Sequence, residues 1–99
     1  MIVIDEFRDW GHALNRKYGP SAHLCSDIVG EAGTEELVAF ARCIGMRASW
    51  LQKPGTTHEH FDVFASRRER ALAAGAREVD KYEIVAIWKA KRAALAEAR

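Results

Sequence analysis

The 99-residue chain, 48% of it hydrophobic, is long enough for one compact domain with a modest core and too short for a second domain. Fifteen Lys and Arg against 14 Asp and Glu give a formal charge of +1, so any affinity for nucleic acid requires a local basic patch. Two separated cysteines, no signal-peptide pattern and no membrane-length apolar run predict a soluble, cytoplasmic protein with reduced thiols.

The first half of the chain contains two predicted strands and one predicted helix. Residues 2–5 (IVID) are a β-branched run typical of a strand buried on both faces, with Asp5 and Glu6 at its carboxyl end. Residues 9–20 predict a long loop with one helical turn, and HLCSDIV, residues 23–29, resumes the strand pattern. Thr34 is placed to cap a helix that ends at Gly45.

Strands and helices also alternate in the second half of the chain. Residues 46–57 predict an extended segment that ends in a Pro-Gly turn. A second helix is predicted to begin near Asp62 or Ser66, both favourable N-cap residues, and to end at Gly75. REV, residues 77–79, predicts a short strand, and Asp80 with Glu83 three positions later predicts the capped start of a last helix.

These elements predict an α/β fold, a small single-domain sandwich of a three- or four-stranded sheet with about three helices. Residues 1–80 are the predicted α/β domain, and residues 81–99 are a predicted C-terminal helical extension. The extension carries an apolar stripe that includes Ile84, Ile87 and Trp88. The stripe predicts packing either on the same domain or on a partner, which would be a second copy in a homodimer.

The sequence HEHFD, residues 58–62, has the His-x-His-x-Asp spacing of the metal motif of metallo-β-lactamase-like hydrolases. On a strand, His58, His60 and Asp62 would face one side and could ligate Zn²⁺ or Mn²⁺. That motif continues with a histidine where this chain has Val63, and its fold needs about twice this length. The favoured interpretation is that Asp62 caps a helix and the histidines flank a loop.

Polar residues on three segments form a second, dispersed candidate site, because the carboxyl ends of strands gather in open α/β sheets. Carboxylates and imidazoles there could hold a divalent ion or act as general acid and base. The prediction favours no cofactor. If a metal is present, the predicted ion is Mg²⁺ or Mn²⁺, and its predicted ligands are Asp5, Glu6, Asp27, His60 and Asp62.

The sequence SRRER, residues 66–70, forms the first turns of a predicted helix. A helix N-terminus offers free N–H groups, and arginines bind phosphate oxygens bidentately, so Ser66, Arg67 and Arg68 form a candidate anion site. The alternative is a solvated basic face. Trp50, close to Gln52, would either stack on a base or lie in the core.

Five segments resemble, in order, a small bacterial and phage family known as domain of unknown function 4031. The segments are VIDEFR, AHLCSD, TEELVAFARCIG, SWLQ and HFDVFASRRERALAAGAREV, within residues 2–79. The family positions are filled by polar or aromatic residues: Asp5, Arg8, His23, Asp27, Trp50, Gln52, His60, Asp62, Ser66, Arg67 and Arg68. Because polar positions carry the resemblance, it implies a functional site, without an activity to transfer.

The chain departs from the family pattern at four places: Glu6, Ala22, Leu51 and Phe61 replace an aspartate, a cysteine, an aromatic residue and a tyrosine. An obligate thiol or tyrosyl hydroxyl is therefore not expected at those positions. His58 lies outside the pattern and is predicted to be dispensable for binding.

The leading prediction is a binding module for a phosphate-bearing ligand, either a nucleotide-derived small molecule or a nucleic-acid end, in a bacterial or phage-encoded protein. The predicted ligand-binding residues are Arg8, His23, Trp50, Gln52, His60, Asp62, Ser66, Arg67 and Arg68. The alternatives are a metal-dependent phosphodiesterase or nuclease and a non-catalytic protein-interaction domain. No membrane partner is predicted.

Overall fold

The computed structural model describes residues 1–97, so the last two residues of the predicted C-terminal extension lie outside the described residues. The strands are β1 (Ile2–Ile4), β2 (Ser21–Ser26), β3 (Phe61–Phe64) and β4 (Arg77–Glu78). The helices are α1 (Ala13–Tyr18), α2 (Glu31–Cys43), α3 (Ala65–Ala73) and α4 (Lys81–Glu97), with a short 3-10 helix at Ala48–Trp50. The strand order β3-β2-β1-β4 makes one mixed sheet and confirms the predicted α/β fold.

The directions of the strands decide which side chains share a face. β1 runs antiparallel to β2, β2 runs antiparallel to β3, and β1 runs parallel to β4. Successive side chains along a strand point to opposite faces. On one face, Ile2 and Ile4 of β1 join Leu24, Phe61 and the apolar side chains of α2 and α3 in the larger core cluster. The buried β-branched run thus behaves as predicted.

The opposite face of the sheet is covered by α4. Val3 and Cys25 are fully buried there against Val79 and Ile84, and Trp88 packs on the same cluster. Lys91 is also buried, and its ammonium group donates to the backbone oxygen of Ser26 at 2.9 Å. The predicted apolar stripe of the last helix therefore packs on the sheet of its own chain.

The predicted cap of α2 at Thr34 is wrong, because the helix begins three residues earlier at Glu31. Gly30 precedes the helix with a φ of 83°, and its carbonyl oxygen accepts the first helical hydrogen bonds from Gly33 and Thr34. The Thr34 hydroxyl instead donates to buried Glu59 at 2.6 Å. A left-handed glycine thus starts this helix without a side-chain cap.

The next helix begins near Ser66, as predicted, but neither of the two predicted N-cap residues caps it. Asp62 lies on β3 opposite His23 of β2, and α3 begins directly after the strand at Ala65. Ser66 is inside the helix and makes no cap, since Phe64 is the N-cap residue. Strand pairing thus overrides the local capping preference of Asp62. The predicted extended segment likewise contains the 3-10 turn at Ala48–Trp50.

The start of α4 agrees with the sequence. Asp80 Oδ1 accepts hydrogen bonds from the backbone N–H groups of Tyr82 and Glu83, at 2.9 and 2.8 Å. The Glu83 side chain does not return to the cap but pairs with Arg77 at 3.2 Å. Among residues 1–97, no helix is long and apolar enough to cross a membrane.

The two cysteines should differ sharply in reactivity. Cys43 is exposed, whereas Cys25 is buried under α4, and this burial raises the pKa of the Cys25 thiol to about 11. The native protein should therefore react quickly with one equivalent of a maleimide and with a second only on unfolding. Mass spectrometry of Cys43→Ser, which should stay unlabelled until denatured, is the control. Two rapid labels on the native protein would contradict the position of α4.

Candidate functional site

Three polar side chains form a row across the sheet on the α4 face. Because β1 and β2 pair Ile4 with Leu24, and β2 and β3 pair His23 with Asp62, the next residue after β1, Asp5, also falls beside His23. Asp5 is 1% exposed. Its carboxylate accepts from the His23 backbone N–H at 2.6 Å and from His23 Nδ1 at 2.8 Å. The row fixes the orientation of the His23 ring.

His60 joins this row from the start of β3. Its backbone pairs with Gln52, with hydrogen bonds of 2.8 and 3.2 Å, which extends the sheet edge by one bridge. The His60 Nδ1 lies 2.7 Å from the carbonyl oxygen of His58, and its Nε2 lies 3.5 Å from Asp62 Oδ1. Among residues 1–97, His23, His60 and Asp62 form a group whose potential ligand atoms lie within 4.8 Å of one another. We call these three residues the His-Asp cluster.

Two tryptophans flank the cluster. The Trp10 ring lies 4.6 Å from the His23 ring, and the Trp10 indole N–H donates to the Ser21 carbonyl at 2.8 Å. Trp88 of α4 lies 5.8 Å from His23 and 6.5 Å from His60, measured between ring centroids. The cluster is therefore partly shielded from water, and its three side chains are 13 to 19% exposed to solvent.

The electrostatics of the cluster favour an ionised carboxylate. Burial by itself raises the pKa of Asp62, but the nearby histidines, His60 foremost, outweigh it and lower that pKa below its ordinary value. The neighbouring His58 has a different environment. Burial and the Arg92 cation lower the pKa of His58, whose Nε2 lies 3.1 Å from Arg92 Nη2. The His58 ring is thus engaged outside the cluster.

A groove of about 650 Å³ runs along β3, the edge strand of the sheet, and meets the His-Asp cluster at Asp62. Its walls come from α1, the 46–52 segment, β3 and the start of α3. The lining residues are Leu14, Tyr18, Met46, Ser49, Trp50, Gln52, Asp62, Phe64, Ala65 and Arg67. The wall is mostly apolar, with one cation and one carboxylate.

Arg67 is the cation of the groove. The guanidinium carbon lies 5.3 Å from the centroid of the Trp50 ring, within the range of a cation–π contact. Its Nε is buried and has no hydrogen-bond partner, and residues 1–97 offer it no ion pair. Trp50 is 41% exposed, so it lies on the groove wall rather than in the core.

Arg68, the next residue, points elsewhere. It pairs with the carboxylate of Glu78 on β4, and its Nη2 lies 3.4 Å from the carbonyl oxygen of Asp5. The one-residue step along α3 rotates the two arginines to different sides of the helix. Arg68 therefore stabilises the junction of α3 with the sheet and does not line the groove.

The other predicted site residues lie outside both the His-Asp cluster and the groove. Arg8 is exposed over Trp10 and lies 3.7 Å from exposed Glu6. Asp27 lies at the far end of β2, where it binds the N-terminal ammonium group at 2.8 Å. Ser66 is exposed on α3. Of the predicted metal ligands, Glu6 and Asp27 are thus outside the cluster, and Asp5 reaches it through His23.

The structure adds residues that sequence reasoning did not assign to the site. Trp10, Tyr18 and Phe64 border the cluster or the groove, and the Tyr18 and Phe64 rings meet at 5.6 Å. Their only signal in the sequence is aromatic character within a polar stretch. Trp88 is evident from the apolar stripe, but its position against the histidines follows from the pairing of the strands.

The fold and the site together define a small α/β domain with a partly buried His-Asp cluster beside an edge groove. The family described as "Protein of unknown function (DUF4031)" matches residues 2–91. The chain belongs to this family, as the resemblance indicated. No curated protein and no solved structure matches the chain.

Proposed function

We propose that the protein binds a phosphate-bearing ligand of nucleotide size in the groove along β3. The observation that carries this proposal is Arg67, whose side chain lines the groove and forms no ion pair within residues 1–97. A guanidinium is best satisfied by a carboxylate or phosphate oxygen. An anion in the groove would complete the hydrogen bonds of Arg67.

The shape of the groove supports a ligand that also has an aromatic or apolar part. A volume of about 650 Å³ is within the usual range of small-molecule pockets. Trp50 and Tyr18 offer ring faces or edges, and Gln52 offers both a donor and an acceptor to the edge of a base. A nucleotide combines these requirements in one molecule.

The charges indicate how such a ligand would be oriented. Asp62 carries a negative charge at the end of the groove that meets the cluster, so an unscreened phosphate is repelled from it. The phosphate therefore lies towards Arg67 unless a cation neutralises Asp62.

A second candidate function is a metal-dependent phosphodiesterase or nuclease. The observation that favours it is the position of the His-Asp cluster at the end of the same groove, where a bound ion would reach a phosphate. Hydrolysis of a dinucleotide that needs both an added metal and His60 would support this candidate. Binding of the dinucleotide without hydrolysis would support the first candidate, a binding module.

Arg67→Ala should weaken binding of nucleoside monophosphates about 10- to 150-fold. The loss of one charge-assisted contact in a partly dry groove costs about 1.5 to 3 kcal/mol, and 1.4 kcal/mol is about tenfold in affinity. Calorimetry with adenosine and uridine monophosphates, a dinucleotide and inorganic phosphate measures the effect.

Arg70→Ala is the matched control, because Arg70 is exposed on the same helix and its removal changes the net charge equally. Arg68→Ala should also keep the affinity, since Arg68 pairs with Glu78. Equal losses in Arg67→Ala and Arg70→Ala would reduce the effect to general electrostatics, and wild-type affinity in Arg67→Ala would disprove the proposed site.

A further inference from the structure

We propose that His23, His60 and Asp62 bind a divalent transition-metal ion of the class that accepts two imidazoles and one carboxylate. This inference goes beyond ligand binding in the groove and stands on the geometry of the His-Asp cluster alone.

The first step is the position of the protons. A carbonyl oxygen only accepts hydrogen bonds, so the 2.7 Å contact between His60 Nδ1 and the His58 carbonyl requires a proton on Nδ1. A carboxylate oxygen accepts in the same way, so the 2.8 Å contact between His23 Nδ1 and Asp5 is a hydrogen bond when Nδ1 carries the proton. In each ring Nδ1 is thus engaged by a neighbouring oxygen, and Nε2 is the nitrogen available to a metal ion.

The second step is the spacing of the potential ligand atoms. His60 Nε2 lies 3.5 Å from Asp62 Oδ1, and the cluster offers one atom from each of its three residues within 4.8 Å of one another. Potential ligand atoms this close to one another favour a positive charge among them, and a metal ion supplies that charge.

The third step is the type of ion. With metal–ligand distances of about 2.1 Å, the ligand atoms of a tetrahedral site lie about 3.4 Å apart, and the His60–Asp62 pair already has this spacing. Imidazole nitrogens suit Zn²⁺ and its neighbours Co²⁺ and Ni²⁺, whereas Mg²⁺ and Ca²⁺ prefer sites built of oxygen. The ligand set therefore selects Zn²⁺ or Co²⁺ over the Mg²⁺ that an all-carboxylate site would take.

The surroundings of the ligands match those of protein metal sites. Asp5 is 1% exposed and bonds the far nitrogen of His23, the arrangement that orients a metal-binding histidine and raises its basicity. Trp10 and Trp88 restrict water on two sides. Three protein ligands leave at least one coordination position open, and Asp62 borders the groove.

The test is a titration of untagged, chelator-treated protein with Co²⁺ and Zn²⁺. Co²⁺ should give visible d–d absorption that saturates at one equivalent, and it should quench tryptophan fluorescence because Trp10 and Trp88 contact His23. Zn²⁺ should displace the Co²⁺ signal and raise the melting temperature, whereas Mg²⁺ at the same concentration should do neither.

Variants locate the ion. His60→Ala and Asp62→Asn should each weaken Co²⁺ binding at least 100-fold, whereas His58→Ala and Asp27→Asn should bind it like the wild type. The His58 control removes a ring that meets Arg92 and leaves the backbone carbonyl in place, and Asp27 lies at the other end of β2. Circular dichroism should show that all four remain folded.

Several outcomes would overturn the proposal. If a proton rather than a metal occupies the cluster, Co²⁺ and Zn²⁺ will change neither the spectrum nor the melting temperature. Equal binding in His60→Ala and the wild type would place the ion elsewhere. Because the titration contains no nucleotide, its result is independent of the Arg67 experiment, and either proposal can fail alone.

Discussion

Ending the chain after Asp80, which removes α4, is expected to abolish the cooperative folding of the protein. Val3 and Cys25 are fully buried under this helix, Val79 is nearly so, and Ile84 is lost with it. Each such side chain contributes about 1.5 to 3 kcal/mol, while small domains are stable by only about 5 to 15 kcal/mol in total. Thermal and urea denaturation followed by circular dichroism measure the effect.

A shorter truncation is the control for this experiment. Ending the chain after Arg92 removes only exposed residues of the described part of α4 and keeps Lys91 with its bond to Ser26. This variant should unfold within a few degrees of the full chain. A fully folded, equally stable protein that ends at Asp80 would show that the packing of α4 contributes little. A folded dimer would show that the sheet face exposed by the truncation pairs with a second copy of the chain.

Asp5→Ala is expected to destabilise the metal-free protein by about 3 kcal/mol, since it leaves two part-buried His23 donors without their acceptor. Asp5 accepts from the His23 backbone N–H and from the His23 ring, with almost no access to water. For a domain of this size the loss lowers the melting temperature by about 12 to 24 °C. Thermal unfolding in the presence of a chelator measures it.

Asp27→Ala is the comparison, because Asp27 also forms an ion pair but is 39% exposed on its side chain. Exposed pairs contribute about 0 to 1 kcal/mol, so this variant should melt close to the wild type. A similar loss of stability in both variants would mean that net charge, rather than the buried Asp5–His23 contact, determines the difference. Asp5→Asn, which keeps the shape, should fall between Asp5→Ala and the wild type.

Much of the fold could be predicted because local chemistry and tertiary packing agree. The β-branched run at residues 2–5 is buried on both faces, and Asp80 caps α4 by direct hydrogen bonds. Where local preference and tertiary contacts compete, the prediction is wrong. Asp62 and Thr34 are good capping residues, yet one pairs with β2 and the other bonds Glu59. No local pattern contains those partners.

The candidate site was predictable as a set of residues but not as an arrangement. His23, His60 and Asp62 all appear among the predicted ligand-binding residues, and they lie together. The sequence predicts that these residues meet at the carboxyl ends of neighbouring strands. They meet in another way, because β1, β2 and β3 are antiparallel neighbours. Their contact arises from the register that places His23 opposite Asp62, and a shift of one residue would separate them.

The division between Arg67 and Arg68 has the same origin. Both belong to one basic run, and the sequence assigns both to an anion site. Only the exact rotation of α3 about its axis, which depends on Ala71 being fully buried in the core, directs Arg67 to the groove and Arg68 to Glu78. Periodicity places a helix in the sequence to within about a turn, whereas telling the direction of Arg67 from that of Arg68 requires its position to be known to one residue.

The direct junction between β3 and α3 also bears on how proteins with this fold can diverge. Ala65 has a φ of 40°, which lets the chain turn from strand to helix without a loop, so Asp62 and Arg67 stand on one uninterrupted piece of regular structure. An insertion there would disturb both charges. The opposite wall continues from Gln52 into the turns of residues 53–58, and surface turns generally tolerate insertions. Insertions in related chains are therefore expected on that wall, where they would leave the spacing of the two charges unchanged.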